Sequence, residues 1–460
     1  MVDRSLCGRD HCGVALSAPR RERLSGWGRF PIAESHVERP RDAAAVSRLL
    51  ETPGTVIARG NGRSYGDSSL NPDLTLNLLG LDRMIAFDAD TGILTCEAGA
   101  MLAEIIDLFV KRGWFPPVTP GTRFVTIGGM VASDVHGKNH GAGSFGDHLE
   151  WVDLAVGPGE VLRCSPRENP DLFAATCGGM GLTGVILRVA FRMLRVETAM
   201  MRQRTVHARS LDECMQLLSS NANGTYSVAW IDCVTTGSAL GRSVVTLAEH
   251  ATRDDLPATM RDDPYRRPAP RPKRVPLDFP NFALSKLPVR LFNEAYYRAQ
   301  TSGDALARLD NYFYPLDGIL EWNRIYGRRG FAQYQCVLPT EESAAGMQRL
   351  LAAISAAGDA SFLTVLKLMG HQSFGPLSFP RPGFTLALDF AVKPETLALM
   401  DRLDAITAEH GGRLYLTKDS RMSRDMLERG YPRLDDFRRV RREYGLDARF
   451  QSLQSQRLEL

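Results

Sequence analysis

The stretch RGNGRSYGD, Arg59–Asp67, follows the apolar run Thr55–Ala58 and crowds three glycines into one loop. A strand feeding a glycine-rich loop opens many nucleotide sites, so the spacing decides which fold is available. A doubly wound dinucleotide-binding sheet needs G-x-G-x-x-G opening a helix, with an acidic residue about 20 positions on. Gly60, Gly62 and Gly66 have the wrong spacing, and the following DSSLNPDLTLNL contains Asn71-Pro72 and reads as turn then strand. Gly179, Gly181 and Gly184 do fit the spacing, but a helical pattern precedes them and a strand pattern follows, which inverts the required order. The doubly wound fold is excluded at both places. What the first loop does supply is several backbone N–H groups unshielded by side chains, which together can bind an anion without any helix. On that loop alone, an anion nest and an ordinary tight turn stay equally open.

A second loop tips the balance. Pro120–His148, PGTRFVTIGGMVASDVHGKNHGAGSFGDH, combines two glycine clusters with Asp134, His136, Lys138, Asn139, His140 and His148. So many polar side chains are costly to bury unless they line a site. His136 and His140 have the i, i+4 spacing of a zinc helix, yet the glycines around them predict a non-helical segment, which does not support that geometry.

The remaining pattern is mixed. Pro40–Glu51 has helical spacing, Thr55–Ala58 reads as a buried strand, and Leu74–Leu78, Met84–Asp88 and Gly92–Glu97 read as short strands. In MLAEIIDLFVKRG, the residues Leu102, Ile105, Ile106, Phe109 and Val110 share a helical face that Gly113 terminates. Pro158-Gly159 predicts a hairpin between WVDLAVG and EVLRCS, a helix follows at Asn169–Thr176, and VILRVAFRML alternates like a half-buried strand. The first domain closes near Glu197. Beyond it, Tyr265–Pro280 carries prolines at every second to fourth position, which predicts an extended or disordered loop without helix or sheet. It is either a solvated linker or a basic flap in which Arg266, Arg267, Arg271, Lys273 and Arg274 meet a phosphate or anionic headgroups.

The totals narrow the function class. A chain of 460 residues, 44% hydrophobic, buries a large core in two domains or one composite unit. Its 56 basic and 53 acidic residues nearly cancel, so charge gives no reason to invoke nucleic acid. The eight cysteines are scattered, which fits a reduced, cytosol-facing protein, and Cys7, His11 and Cys12 near the N-terminus are read as incidental rather than as a metal site. No apolar run approaches the roughly 18 residues that span a bilayer, and the first residues lack a secretory h-region. The expectation is a cytoplasmic protein, compatible with peripheral docking at the inner face of the plasma membrane.

Taken together, RGNGRSYGD, PGTRFVTIGGMVASDVHGKNH, GSFGDH, CGGMGLTG, EWNRIYG, PLSFP and GGRLYLTKDSR resemble the decaprenylphosphoryl-β-D-ribose 2′-oxidase family, within the vanillyl-alcohol-oxidase class of FAD enzymes. The similarity runs from about Gly26 to Leu460. It implies an α+β fold. A two-subdomain FAD-binding domain of the PCMH type would span 1–197 and 413–460, with a leader of about 25 residues that is not fixed. An antiparallel-sheet substrate domain would span 198–412, with 254–280 as a flexible basic loop. The reaction implied is oxidation of the ribose 2′-hydroxyl of a polyprenyl-phosphate sugar to a ketone, with hydride passing to flavin N5. A separate short-chain reductase would then complete the epimerisation to the arabinose donor. A soluble sugar, alditol or aldonolactone oxidase is the alternative.

Carried over onto matching positions, the resemblance places FAD along Ala58, Arg59, Gly60, Asn61, Gly62, Arg63, Ser64, Tyr65, Gly66, Asp67 and Ser68. It adds Gly121, Thr126, Ile127, Gly128, Gly129, Ser133, Asp134, Val135, His136, Ile186 and Tyr415. Lys418 matches the essential lysine and His136 the histidine near flavin and substrate; either could be the base. Lys138, Trp230, Gln333, Gln335 and Lys367 match substrate-pocket positions, Lys138 and Lys367 being suited by charge to a substrate phosphate or a flavin carbonyl. Three positions depart from the family pattern: Phe313 stands for a tyrosine, and Thr385 and Ala387 for the asparagine and cysteine of mycobacterial members. Many relatives also carry a histidine, bonded covalently to the flavin, where this chain has Arg63. A guanidinium cannot make that bond, so the expected FAD is non-covalent.

Overall fold

The computed structural model describes residues 21–268, 272–280, 284–358 and 361–460. Cys7, His11, Cys12 and Arg271 lie outside the described residues. Three sheets organise the chain. The first has four strands in the order Arg21–Ser25, Ile32–Glu38, Leu74–Asn77, Val56–Arg59. Its last strand runs parallel to Leu74–Asn77 and delivers the backbone directly into the first glycine loop. The second has five strands in the order Met84–Asp88, Ile93–Glu97, Val185–Arg192, Leu149–Gly157, Glu160–Cys164. The third is antiparallel, with eight strands in the order Gly303–Arg308, Met200–Ala208, Ser243–His250, Tyr226–Ile231, Thr364–Met369, Gly383–Ala391, Phe331–Pro339, Arg413–Leu414.

Local signals account for most elements. The helix Ala43–Leu50 starts where the Asp42 carboxylate accepts from Ala45 N at 2.7 Å. Leu102–Phe109 buries the face its spacing marks out, and Gly113 ends the following turn in the left-handed region, φ 79°. The two smaller sheets and the large antiparallel sheet, with the helices packed on them, make the α+β architecture that the family resemblance implies.

Three local readings need correction. Val185–Arg192 exposes Arg188 and Arg192 but buries Ala190 completely, because the strand lies at the centre of its sheet with both faces covered. The second glycine loop contains a helix, Ile127–Ala132, opened by Thr126, whose hydroxyl accepts from Gly129 N at 3.3 Å. Its glycine at 128 serves close packing, since a Cβ there would stand 2.8 Å from that of Ala98. The proline-rich segment holds a short strand, Lys273–Arg274, parallel to Ile319–Leu320. Between Pro272 and Pro276 three residues keep their N–H groups, and Val275 N donates to Leu320 O at 3.1 Å. Within the same segment Arg267 is half-buried and pairs with Asp310 at 2.7 Å and Asp107 at 2.8 Å. Among the described residues no helix is long and apolar enough to cross a membrane.

Candidate active site

A cavity of about 560 Å³ lies between the two glycine loops and one face of the large sheet. The first loop reaches it because small residues let the chain turn sharply. Gly62 has φ +62°, which side-chain-bearing residues rarely adopt, and a Cβ at Gly60 would stand 2.2 Å from the Thr126 hydroxyl. Asn61 ties this loop to the second by donating to Phe124 O at 2.8 Å. Arg59 is spent on structure, donating to Ser25 O at 2.6 Å and to Ser69 Oγ at 3.0 Å. Arg63 lays its guanidinium 3.9 Å over the Trp27 ring.

The sheet face is set by register. Residues two apart on a strand point the same way, so Gln333 and Gln335 share one face. Gln333 pairs across the ladder with Asp389 and Gln335 with Ala387, while Thr385 is the partner of Lys367 and Val365 that of Trp230. Four strands thereby bring polar groups distant in sequence onto one surface. Gln335 donates from its amide nitrogen to Thr385 Oγ1 at 3.2 Å, and the same nitrogen lies 3.0 Å from His136 Nε2. His136 Nδ1 in turn lies 3.1 Å from Lys367 Nζ, which donates to Gly137 O at 3.1 Å. A neutral imidazole accepts at one nitrogen and donates at the other. Nε2 faces the Gln335 amide and Nδ1 the Lys367 amine, and the tautomer sets which of the two the ring donates to. Both ring nitrogens of His136 are therefore engaged.

Lys418 enters from the opposite side, on the turn after Arg413–Leu414. Its Nζ sits 3.9 Å over the Tyr65 ring. The turn is stitched to the first glycine loop: Tyr65 N donates to Thr417 O at 3.0 Å, and a Cβ at Gly66 would stand only 1.7 Å from Asp419 O. Arg457 bridges Asp67 at 2.9 Å and Asp419 at 2.7 Å, both carboxylates being nearly inaccessible to solvent. Displacing the glycine loop thus displaces the lysine.

Burial shapes the protonation states. It pushes Lys138 down to about 7, and with the neighbouring charges of Lys138 and Lys418 it brings Lys367 to about 7 as well. Lys418 is lowered to about 8 by burial, against the opposing pull of the Asp389 carboxylate. Asp389 is itself raised to about 7 by burial, opposed by the hydrogen bond from Gln333 at 2.6 Å. His136 falls well below its ordinary value, through burial first and then the charges of Lys367 and Lys418. The site therefore holds a neutral imidazole and amines that can lose or gain a proton near neutrality.

Most residues singled out in the sequence line this one cavity: Lys418, His136, Lys138, Trp230, Phe313, Gln333, Gln335, Lys367 and Ala387, with most of the loop residues. Five stand behind the wall instead. Gly66 and Asp67 hold the Lys418 turn, as described. Ile127 is fully buried in the core, and Asp134 is buried and accepts from Gly146 N at 2.9 Å. Thr385 reaches the cavity only through Gln335. Trp230 is fixed by its indole N–H donating to Phe362 O at 3.0 Å, and the Lys138 amine donates to Tyr312 O. Sequence reasoning missed Asp389, Asp317, Tyr312 and Arg457. Asp389 left a readable trace, a lone carboxylate in the apolar run GFTLALDF.

The donor set fits a flavin dinucleotide. Five basic side chains (Arg59, Arg63, Lys138, Lys367 and Lys418) line the cavity against one carboxylate, Asp317, which suits ligands carrying several phosphates. Around Gly121 an added Cβ would meet nothing within 4 Å, so the cradle is open where the second loop begins. Ala98, Val125, Met130, Val135 and Ile186 supply an apolar wall for a planar ring. Comparison with known proteins agrees. Residues 35–165 match the family described as FAD binding domain. A decaprenylphosphoryl-beta-D-ribose oxidase of Mycolicibacterium smegmatis is 39% identical over 450 residues, covering 95% of this chain and 98% of that protein. An uncharacterized protein of Streptomyces coelicolor is 35% identical over 374 residues, 78% of this chain and 100% of its own length. A putative D-arabinono-1,4-lactone oxidase of Neurospora crassa matches at 29% over only 137 residues, 30% of this chain and 25% of that one. With its cofactor cradle, its half-buried amines and a full-length relative at this identity, the chain belongs to the decaprenylphosphoryl-β-D-ribose oxidase family of FAD-dependent oxidoreductases.

Proposed function

We propose that this chain oxidises the 2′-hydroxyl of a polyprenylphosphoryl-β-D-ribose to the 2′-keto sugar, using FAD held without a covalent bond. The observation that carries the reading is Lys418: a half-buried amine of lowered pKa over Tyr65, facing a cavity in which His136 has no free ring nitrogen. Turning a carbinol into a ketone removes a hydride from carbon and a proton from oxygen. Bound FAD supplies the acceptor for the hydride. Lys418, as the free amine, takes the hydroxyl proton and becomes an ammonium beside the Tyr65 ring and the Asp389 carboxylate, both of which favour that charge. His136 is a positioning residue in this scheme, holding Lys367 and Gln335 in place rather than moving the proton. Lys138 and Lys367 meet the phosphoryl group, and the anion draws a proton onto each.

In this reading residues 1–197 and 413–460 hold the flavin and 198–412 the sugar lipid. A separate short-chain reductase converts the ketone to the arabinose-configured product. The protein works in the cytoplasm against the inner leaflet, where a prenylated substrate resides. The test is turnover by the purified flavoprotein on polyprenylphosphoryl-ribose set against free alditols and D-arabinono-1,4-lactone. The reading expects a product lighter by two hydrogens from the lipid-linked sugar alone. Comparable turnover of a free alditol or lactone would replace it with a soluble-sugar oxidase.

A further inference from the structure

Half of the exposed large apolar side chains among the described residues fall between Leu277 and Ile319: Leu277, Phe279, Leu287, Leu291, Phe292 and Ile319. Three of them sit on one helix, Lys286–Ala299. At helical spacing Leu287, Leu291 and Ala295 follow one another at i, i+4 and i+8, with Pro288 and Phe292 beside them, and all are exposed. Leu287 and Leu291 are 65% and 62% accessible, far more than isolated surface leucines need to be. Lys286, Arg290 and Arg298 flank this apolar face and are exposed as well.

The helix is not loosely attached. On its inner side Val289 and Asn293 are buried, Asn293 Nδ2 donates to Asp232 Oδ1 at 2.9 Å, and Glu294 pairs with Arg242 at 2.6 Å. The outward apolar face is therefore a fixed feature of the fold. It also abuts the cavity. Tyr296 and Gln300, at the same helix and its end, line the cavity wall, and Tyr296 packs 4.7 Å from Trp230. Phe362 joins the two apolar stretches, lying 5.7 Å from Phe292 and 5.6 Å from Tyr326, next to the turn on which Phe279 N donates to Arg324 O at 3.0 Å.

We propose that the outer face of helix Lys286–Ala299, with Leu277 and Phe279, docks the protein onto an anionic lipid leaflet and brings the cavity rim to the membrane surface. Leucine and phenylalanine inserted at the headgroup boundary, with basic residues at the edge of the face, is the arrangement of an interfacial helix. The occupant follows from charge complementarity and from continuity with the cavity. A second copy of this chain would bring like charges at Lys286, Arg290 and Arg298 together, whereas an anionic leaflet neutralises them. The inference rests on the lipid-linked substrate proposed above. It gives that substrate a path in which the prenyl chain stays in the bilayer while the phosphoryl sugar enters between Tyr296 and the Trp322 side of the rim.

The test uses the FAD-loaded full chain. Co-sedimentation with phosphatidylglycerol vesicles is compared for the native protein, Leu287→Ser/Leu291→Ser and Lys286→Glu/Arg290→Glu, with phosphatidylcholine vesicles as the uncharged control. None of these four side chains lines the cavity. Native protein is expected to pellet with the anionic vesicles, and each double variant to lose at least tenfold in bound fraction. Each variant should also retain full turnover of a water-soluble short-prenyl analogue while losing turnover of the long-chain substrate embedded in vesicles. Native protein that stays in the supernatant, or variants that bind as well as it does, would overturn the proposal. So would a dimer in sedimentation velocity that the leucine variant disperses. Vesicle binding without oxidation of either substrate would uphold the docking face and reject the substrate assignment instead.

Discussion

Replacing Lys418 by methionine keeps the length and apolar stem of the side chain and removes only the amine. In the native protein the amine loses its proton at about 8, so roughly a tenth is free base at pH 7 and about nine-tenths at pH 9. Reduction of the bound flavin by saturating substrate should therefore climb about tenfold from pH 7 to pH 9. The sign follows from the chemistry: the base is competent when deprotonated, and its lowered pKa brings that state into the physiological range. A positioned general base contributes about 10²- to 10⁴-fold, equivalent to about 3–5 kcal/mol of barrier. Lys418→Met should lose that factor and flatten the profile. Anaerobic stopped-flow absorbance reads both, with the flavin-to-protein ratio confirming that the cofactor is still bound. A variant that reduces its flavin within about threefold of native, or that keeps the tenfold rise with pH, would refute the assignment of Lys418 as base.

Other consequences are independently measurable. Because Lys138 and Lys367 lose their charge at about 7, KM for the phosphorylated substrate should be flat below that pH and rise above it, by up to about tenfold per pH unit for each lysine that must be charged; a KM constant from pH 6 to 9 would remove both from phosphate recognition. Arg457→Met leaves Asp67 and Asp419 buried and unpaired, which should cost about 3–5 kcal/mol in urea denaturation, and a loss below about 1 kcal/mol would show that the network does not hold the two loops together. Gly66→Ala forces a Cβ into the space of Asp419 O, so flavin occupancy and thermal stability should both drop, and an unchanged melting temperature would contradict the packing. With Arg63 in the first loop, acid precipitation should leave the flavin in the supernatant; flavin retained in the pellet would show a covalent link from some other residue.

What could be read in the chain before its structure follows from the range of the interactions involved. The hairpin at Pro158-Gly159, the helix ended by Gly113 and the strands around the first loop depend on neighbours in sequence, and their signals are local. The helix Ile127–Ala132 escaped because its glycines look like loop residues, although close packing against Ala98 is what requires one of them. Glycine spacing at Gly60, Gly62 and Gly66 excluded a doubly wound sheet, and the mixed sheets agree with that exclusion. Motif resemblance drew attention to Lys418, His136 and the glutamines, but not to how they are held. The pairing of Gln333 with Asp389 depends on strand register, and Arg457 meets Asp67 across almost the whole chain. Neither could be derived from spacing. Thr385 and Asp134 show the converse: a matching position marks a neighbourhood, and only packing decides whether the side chain faces the ligand or supports one that does.

The proposed reaction breaks the C–H bond of the ribose 2′ carbinol on a prenyl-phosphate carrier. Its most direct test is anaerobic single-turnover reduction of the purified flavoprotein by polyprenylphosphoryl-ribose carrying deuterium at C2′, beside the same substrate labelled at C3′. Flavin bleaching is expected with both, slowed severalfold by the C2′ label alone, with a 2′-keto product in equal amount. Bleaching that is indifferent to the C2′ label at a pH where chemistry limits the rate, or no bleaching at all, would contradict it.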